Sequence, residues 1–317
     1  MQQEDDVKNM RNHSAARLGM IGTMGIFGSI GLFVRVIGLP SAEIALYRAI
    51  LALILLEGIL LLRLLRRTPQ NRASTPLFKR LGHPLLWLSG AAMGFNWILL
   101  FEAYRYTTVS TATLCYYFAP ILVTVLSPIL FRERIGVHGI ICFVLSTAGV
   151  VLLTGAVRVS EKDLHGIVLS LGAACLYAAV VLINKGLSLR QNREFTTDDP
   201  IRRTVVQFLA AAIVLMPYVM LTGGVHLAEM SELGWAALLC VGFLHTGAAY
   251  VVYFAALRGI PGQEAAVLSY IDPLVAVLLS VFVLGETITA VQMLGGILIL
   301  GASAVNEILS VKQEKET

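Results

Sequence analysis

The chain has 317 residues, of which 57% are hydrophobic and only 14% charged, with a mean hydropathy of +0.78. A soluble domain carries roughly a quarter charged residues, so water-facing surface is too scarce for a soluble globular enzyme. The net charge of +4 does not point to nucleic acid, because the basic residues sit in short connections between apolar runs, where membrane orientation accounts for them.

In chain order, residues 1–17 form a polar tail without an apolar signal core, so the first apolar segment is expected to stay as an anchor. Ten candidate membrane helices follow, at 18–37, 43–65, 84–104, 109–131, 137–156, 164–185, 201–221, 233–257, 263–284 and 289–309. The first carries Gly19, Gly22, Gly25, Gly28 and Gly31 at every third position. The second holds Arg48 and Glu57, and the third holds the Gly90–Gly94 pair with Asn96, Trp97, Phe101 and Tyr104. A tight hairpin at 105–108 leads to the fourth, which contains Tyr117 and Pro120. His245, Thr246, Tyr250 and Tyr253 lie on the eighth, and Ser269, Tyr270, Asp272 and Pro273 on the ninth. The cysteines, Cys115, Cys142, Cys175 and Cys240, fall in separate apolar segments without metal-ligand spacing and read as buried, inert thiols. Residues 310–317 form a second polar tail.

With the N-terminus assumed cytoplasmic, 19 Lys and Arg residues fall on the inside and four, Arg35, Arg105, Arg158 and Lys162, on the outside, with Arg48 inside a span. That bias predicts a multi-pass protein of the plasma or bacterial inner membrane with both termini cytoplasmic.

The chain repeats itself. A shift of 153 positions lays the third-to-fifth span region on the eighth-to-tenth without a gap, matching Gly94 with Gly247, Phe101 with Phe254 and Arg105 with Arg258. It also matches Tyr117 with Tyr270, Pro120 with Pro273, Ser127 with Ser280 and Glu133 with Glu286. Five helices per half is an odd number, so the second half enters the membrane from the opposite side. The expected fold is all-α, ten transmembrane helices as two inverted five-helix repeats over 18–156 and 164–309, joined by a loop at 157–163.

Two recurring pieces, "YYFAPILVTVLSPILFRER" and "LSYIDPLVAVLLSVFVLGE", and Arg48 within "EIALYRAILALILL" carry a resemblance that spans about residues 18–309. On them the chain resembles the EamA family of the drug/metabolite transporter superfamily. That resemblance implies export or import of a small metabolite and leaves the cargo open.

Ionisable groups inside a span are functional suspects. Asp272 precedes Pro273, which removes a backbone donor and frees a carbonyl one turn back. Its repeat partner is Ala119, so the shared fold does not require the carboxylate. It reads as a proton- or cation-binding group or as a protonated structural Asp, with Ser269 and Ala276 on the same helical face. His245 reads as a satisfied core residue, or as a relay partner if it meets Asp272. Tyr250 and Tyr253 form a hydroxyl stripe with Thr246, and Trp97 with Phe101 and Tyr104 forms an aromatic one beside Asn96. Tyr117 and Tyr270 join the candidate substrate and proton site by their matched positions. Arg48 either holds a substrate carboxylate or pairs with Glu43 or Glu102, and Glu57 is either its acidic counterpart or a second protonation site. Glu133 and Glu286 are expected to cap the helix that follows each. The glycine repeats are expected to serve helix packing.

The expected partners are a small-molecule substrate, a coupling proton and membrane lipid, with no nucleic acid and no cofactor. The leading expectation is a secondary transporter for an amino-acid-like or amine compound. The alternatives are a membrane-embedded enzyme and an uncoupled facilitator or channel. No GxxxxGK[ST], HExxH or GxSxG pattern is present.

Overall fold

The structure, a computed structural model, describes residues 2–65, 83–131, 137–155, 161–189, 200–260 and 262–316. Lipid offers the backbone no hydrogen-bond partner, so an apolar chain must satisfy its amides within helices. Ten helical spans do this: α1 (Gln2–Ile37), α2 (Ser41–Leu65), α3 (Pro84–Tyr106), α4 (Val109–Tyr116, then Ala119–Phe131) and α5 (Val137–Gly155). The second set is α6 (Glu161–Leu189), α7 (Pro200–Thr222), α8 (Glu232–Leu257 in three pieces), α9 (Gly262–Ser269, then Ile271–Phe282) and α10 (Ala290–Glu316). Among the described residues, seven of these are long and apolar enough to cross a membrane, and three shorter apolar stretches, Gly139–Leu152, Val267–Phe282 and Ala290–Asn306, complete the set. α1 and α10 run beyond the expected spans because hydropathy marks where lipid ends, whereas helical hydrogen bonding continues into the polar tails.

Local chemistry sets the turns. The Thr108 hydroxyl accepts from Thr111 N at 3.0 Å to start α4, and Ser231 accepts from Gly234 N at 3.1 Å to start α8. Gly38, Gly224 and Gly285, just beyond α1, α7 and α9, take φ of 75°, 84° and 67°, a region that disfavours residues with a Cβ.

The packing is symmetric under exchange of each helix with the one five places on. α3 packs on α6 and α7, and its counterpart α8 packs on α1 and α2. α4 lies against α6 as α9 lies against α1, while α2 with α7 and α5 with α10 pair across the axis. Large apolar side chains such as Leu61, Ile129, Ile140, Val144, Leu221, Phe282 and Ile297 face outward, as a lipid-facing surface requires.

With an even number of spans, both termini lie at one end of the bundle, called here the near end. α1 is fastened to α9 along its length. At the near end Arg17 and His13 meet Glu264. Midway, a Cβ on Gly28 would come within 2.3 Å of the Asp272 carbonyl oxygen, so the two backbones touch. At the far end Arg35 donates to Glu286 at 2.9 Å and to the Thr107 carbonyl at 2.8 Å. Gly22 and Gly25 have open space beside them, so the glycine stripe is only partly a packing surface.

Glu286 does not cap the helix that follows it. Its carboxylate accepts from Val109 N at 2.9 Å and from the Ser280 hydroxyl, which places it on the N-terminus of α4 in the other half. Thr289 and Gln292 cap α10 instead. The repeat-matched Glu133 lies outside the described residues. At the near end Lys185, closing α6 as Arg35 closes α1, donates to Ser127 at 2.7 Å, the repeat match of Ser280.

Two further expectations change. Glu57 is exposed on the bundle surface and is no buried counterpart of Arg48. Cys115 and Cys142 are buried as expected, but Cys175 is exposed on α6 and Cys240 is partly so.

Gly28→Ala is expected to lower stability by about 1–3 kcal/mol through overpacking, whereas Gly22→Ala changes it by less than about 0.5 kcal/mol. Thermal unfolding in detergent compares them. In the loop before α8, His226 bonds through Nδ1 to the buried Glu43 carboxylate at 2.6 Å, and that bond raises the imidazole above its ordinary 6.5. The stabilisation is therefore complete below about pH 6.5 and fades as pH rises through the raised value. His226→Gln is expected to flatten that pH dependence in the same unfolding measurement.

Candidate functional site

The two halves meet where two helices break. α4 is interrupted at Tyr117 and Phe118, and α9 at Tyr270, positions that the repeat places on each other. The cause is local. Pro120 and Pro273, each three residues past the matched tyrosine, lack the N–H that would close on the carbonyls of Tyr116 and Ser269. The opened turns then bond across the halves. The Tyr117 hydroxyl donates to Asp272 Oδ2 at 2.8 Å and lies 3.4 Å from the freed Ser269 carbonyl oxygen. The Tyr117 and Tyr270 rings stand 6.2 Å apart, centroid to centroid. Tyr117, Tyr270 and Asp272 are each half-buried, midway along their helices. Among the described residues no Lys, Arg or His side chain forms an ion pair or hydrogen bond with Asp272.

A second cluster lies beside this one. Arg48 is 6% exposed, two turns into α2, and its Nε donates to the Thr246 hydroxyl at 2.6 Å. The guanidinium stacks over Trp97 at 4.3 Å and lies 5.6 Å from the Phe101 ring, cation–π contacts worth up to about 2 kcal/mol when desolvated. Neither expected acidic partner reaches it. Glu43 is held by His226, and Glu102 accepts from Ser41 at 2.6 Å and from Arg105 at 3.4 Å. Tyr104, Tyr116 and Tyr250 lie in the neighbourhood of both Arg48 and Asp272.

Thr246 meets Arg48 because α8 widens there. Cys240–Ala248 is a π-helix, whose larger turn brings residues five apart onto one face. The Thr246 hydroxyl donates to the Val241 carbonyl at 2.7 Å, which leaves its lone pairs for Arg48 Nε. Gly242 and Gly247 share that face and admit Leu51 and Leu55 of α2, to within 2.4 Å and 2.8 Å of where each Cβ would stand.

The other expected residues divide. His245 is 1% exposed, bonded to Ser29 at 2.9 Å and to the Cys240 carbonyl at 3.2 Å, with its ring on Phe33. It is not brought to Asp272, since α1 passes between them. Asn96 is buried and donates to the Ala173 carbonyl at 2.6 Å, tying α3 to α6. Tyr250 packs edge-on to Phe27 and Phe208, while Tyr253 sits on Phe27 and Phe254. Ser269 contributes its carbonyl. Tyr116, Tyr177 and Phe208 were not foreseen, although Tyr116 sits beside the repeat-matched Tyr117 and packs on Tyr177 at 5.5 Å. Among the described residues no group of three or more His, Cys, Asp and Glu side chains gathers as a metal site.

Comparison with known proteins agrees with this architecture. The EamA-like transporter family matches twice, over residues 15–155 and 164–307. An uncharacterized transporter of Bacillus subtilis (strain 168), YxxF, is 28% identical over 309 residues, 96% of this chain and 93% of that one. The threonine/homoserine exporter RhtA of Escherichia coli (strain K12) is 27% identical over 234 residues, 74% of this chain and 73% of RhtA. A solved crystal structure with 19% identity shares the fold at a TM-score of 0.61, covering 94% of this chain and 98% of that one. The family and these relatives are transporters, not enzymes. With two matches that together span almost the whole sequence, this multi-pass membrane protein belongs to the EamA-like transporter family.

Proposed function

We propose that this protein is a secondary transporter that moves a small amino-acid-like or amine metabolite by alternating access, coupled to a proton carried by Asp272. The observation that carries this reading is the 2.8 Å bond from Tyr117 of the first half to Asp272 of the second, made at the matched breaks. A carboxylate at a half-to-half contact, with a hydroxyl as its described partner, holds a proton or a cation in turn. Rocking of one half against the other alters that bond directly, so loading of Asp272 and exposure of the site are linked. The likeness to a threonine/homoserine exporter supports an amino-acid-like cargo. The excess of Lys and Arg near the termini supports a cytoplasmic near end and cytoplasmic termini.

On this reading the far-end network of Arg35, Glu286, Ser280 and Ser110 closes the outward path, and the Lys185–Ser127 contact belongs to the inward one.

Purified protein in sealed liposomes with an internal pH reporter tests the coupling, with amino acids and amines as the panel. Asp272→Asn is expected to abolish substrate-driven proton movement, and Tyr117→Phe to slow it by about tenfold, the equivalent of about 1.4 kcal/mol. Normal coupling in Asp272→Asn rules the assignment out, and saturable flux without proton movement in the parent protein makes it a facilitator. The gate is tested with Ser110→Cys in a background free of native cysteines. Adding Glu286→Gln is expected to speed its labelling by a membrane-impermeant thiol reagent severalfold, and an unchanged rate means that the network does not close the path.

A further inference from the structure

Arg48 is a buried cation, and among the described residues no carboxylate pairs with it. Its described hydrogen bond uses Nε alone, so the Nη edge of the fork, four N–H donors, is not spent on protein. Among the described residues Glu43 is engaged by His226, Glu102 by Ser41 and Arg105, and Asp272 by Tyr117, while Glu57 lies on the outer surface. Yet the side chain is held in place. Thr246, itself fixed to Val241 by the π turn, sets Nε, and Trp97 sets the plane of the guanidinium. A charge kept desolvated without an internal partner is costly unless something that binds supplies one. A guanidinium oriented in advance, with its bidentate edge free, matches a carboxylate.

We propose that Arg48 is the carboxylate-recognising residue of the transport site, so that the cargo is a small organic acid or amino acid whose carboxylate docks on the Nη edge beside Trp97. This rests on the transport reading above and narrows its cargo, because amines and nucleosides without a carboxylate are refused. Phosphate esters fit less well. Arg48 carries one positive charge, and a dianion docked on it is left under-compensated. The three phenols near Arg48 and Asp272 supply hydroxyls and ring faces for the rest of the molecule.

The experiment is thermal stabilisation of the purified full-length protein, backed by flux in liposomes. The probes are amino acids and short hydroxy acids, each paired with its methyl ester, together with simple amines, nucleosides and inorganic phosphate. At least one acid is expected to stabilise the protein while its ester does not. Arg48→Gln is expected to weaken that acid by roughly tenfold to a hundredfold, and Arg48→Lys by less. Equal response to acid and ester overturns the proposal. So does undiminished binding by Arg48→Gln, a response only to amines, nucleosides or phosphate, or silence across the whole panel.

Unfolding of the unliganded variants supplies an independent reading. A binding role predicts that Arg48→Met melts at the same temperature as the parent or higher, since it removes an uncompensated charge. A fall of several degrees means that Arg48 is structural. Failure of proton coupling appears in the pH reporter and not in the acid-to-ester ratio, so the two readings fail separately.

Discussion

A proline inside a lipid-embedded helix strands a carbonyl one turn back, and lipid offers nothing to satisfy it. Much of the central geometry here follows from that constraint applied twice. Pro120 and Pro273 interrupt α4 and α9 at matched tyrosines, and each interruption is tolerated because it lies inside the bundle against the other half. The Ser269 carbonyl freed by Pro273 finds the Tyr117 hydroxyl, and that hydroxyl is thereby aimed at Asp272. The same defect that would be expensive against lipid becomes the polar contact at the centre of the protein.

The surrounding helices hold this contact through close approach rather than through bulk. Gly28 lets α1 lie on the Asp272 backbone, and Gly242 and Gly247 let α2 lie on the π segment of α8. Each approach delivers a side chain that a larger residue would hold away: Ser29 to His245 in the first case, Arg48 to Thr246 in the second. Small residues, dispersion contacts and a few buried hydrogen bonds carry this packing because apolar association alone supplies little between helices in lipid.

The spans were legible because hydropathy and helix length are fixed by one solvent, the bilayer. The inverted repeat was legible because Arg, Pro and Glu are rare in spans, so their matches at a constant offset stand out. Asp272 and Arg48 were conspicuous for the same reason. Their partners were not. Nothing in the spacing of residues 240–248 announces a π turn, and without it Thr246 cannot be placed on Arg48. Glu286 was assigned to the nearest helix in sequence, whereas the nearest helix end in space belongs to the other half. Glu57 looked like a buried acid because its neighbours are apolar, but on a membrane protein an apolar neighbourhood also describes the surface. Long-range partners and the lipid-facing side are set by tertiary packing, on which a single sequence is silent.

The symmetry of the scaffold is not extended to the two charges of the central site. Asp272 belongs to the second half and its repeat position in the first is Ala119, while Arg48 belongs to the first half. One pole thus comes from each half of the sequence, with Tyr104, Tyr116 and Tyr250 in the neighbourhood of both. On the transport reading proposed above, a motion that changes the spacing of these poles makes a zwitterion spanning both act as a gauge block in a calliper. A molecule too short to reach both jaws leaves them free, and one too long props them apart, which makes the length of the cargo a condition for completing the cycle.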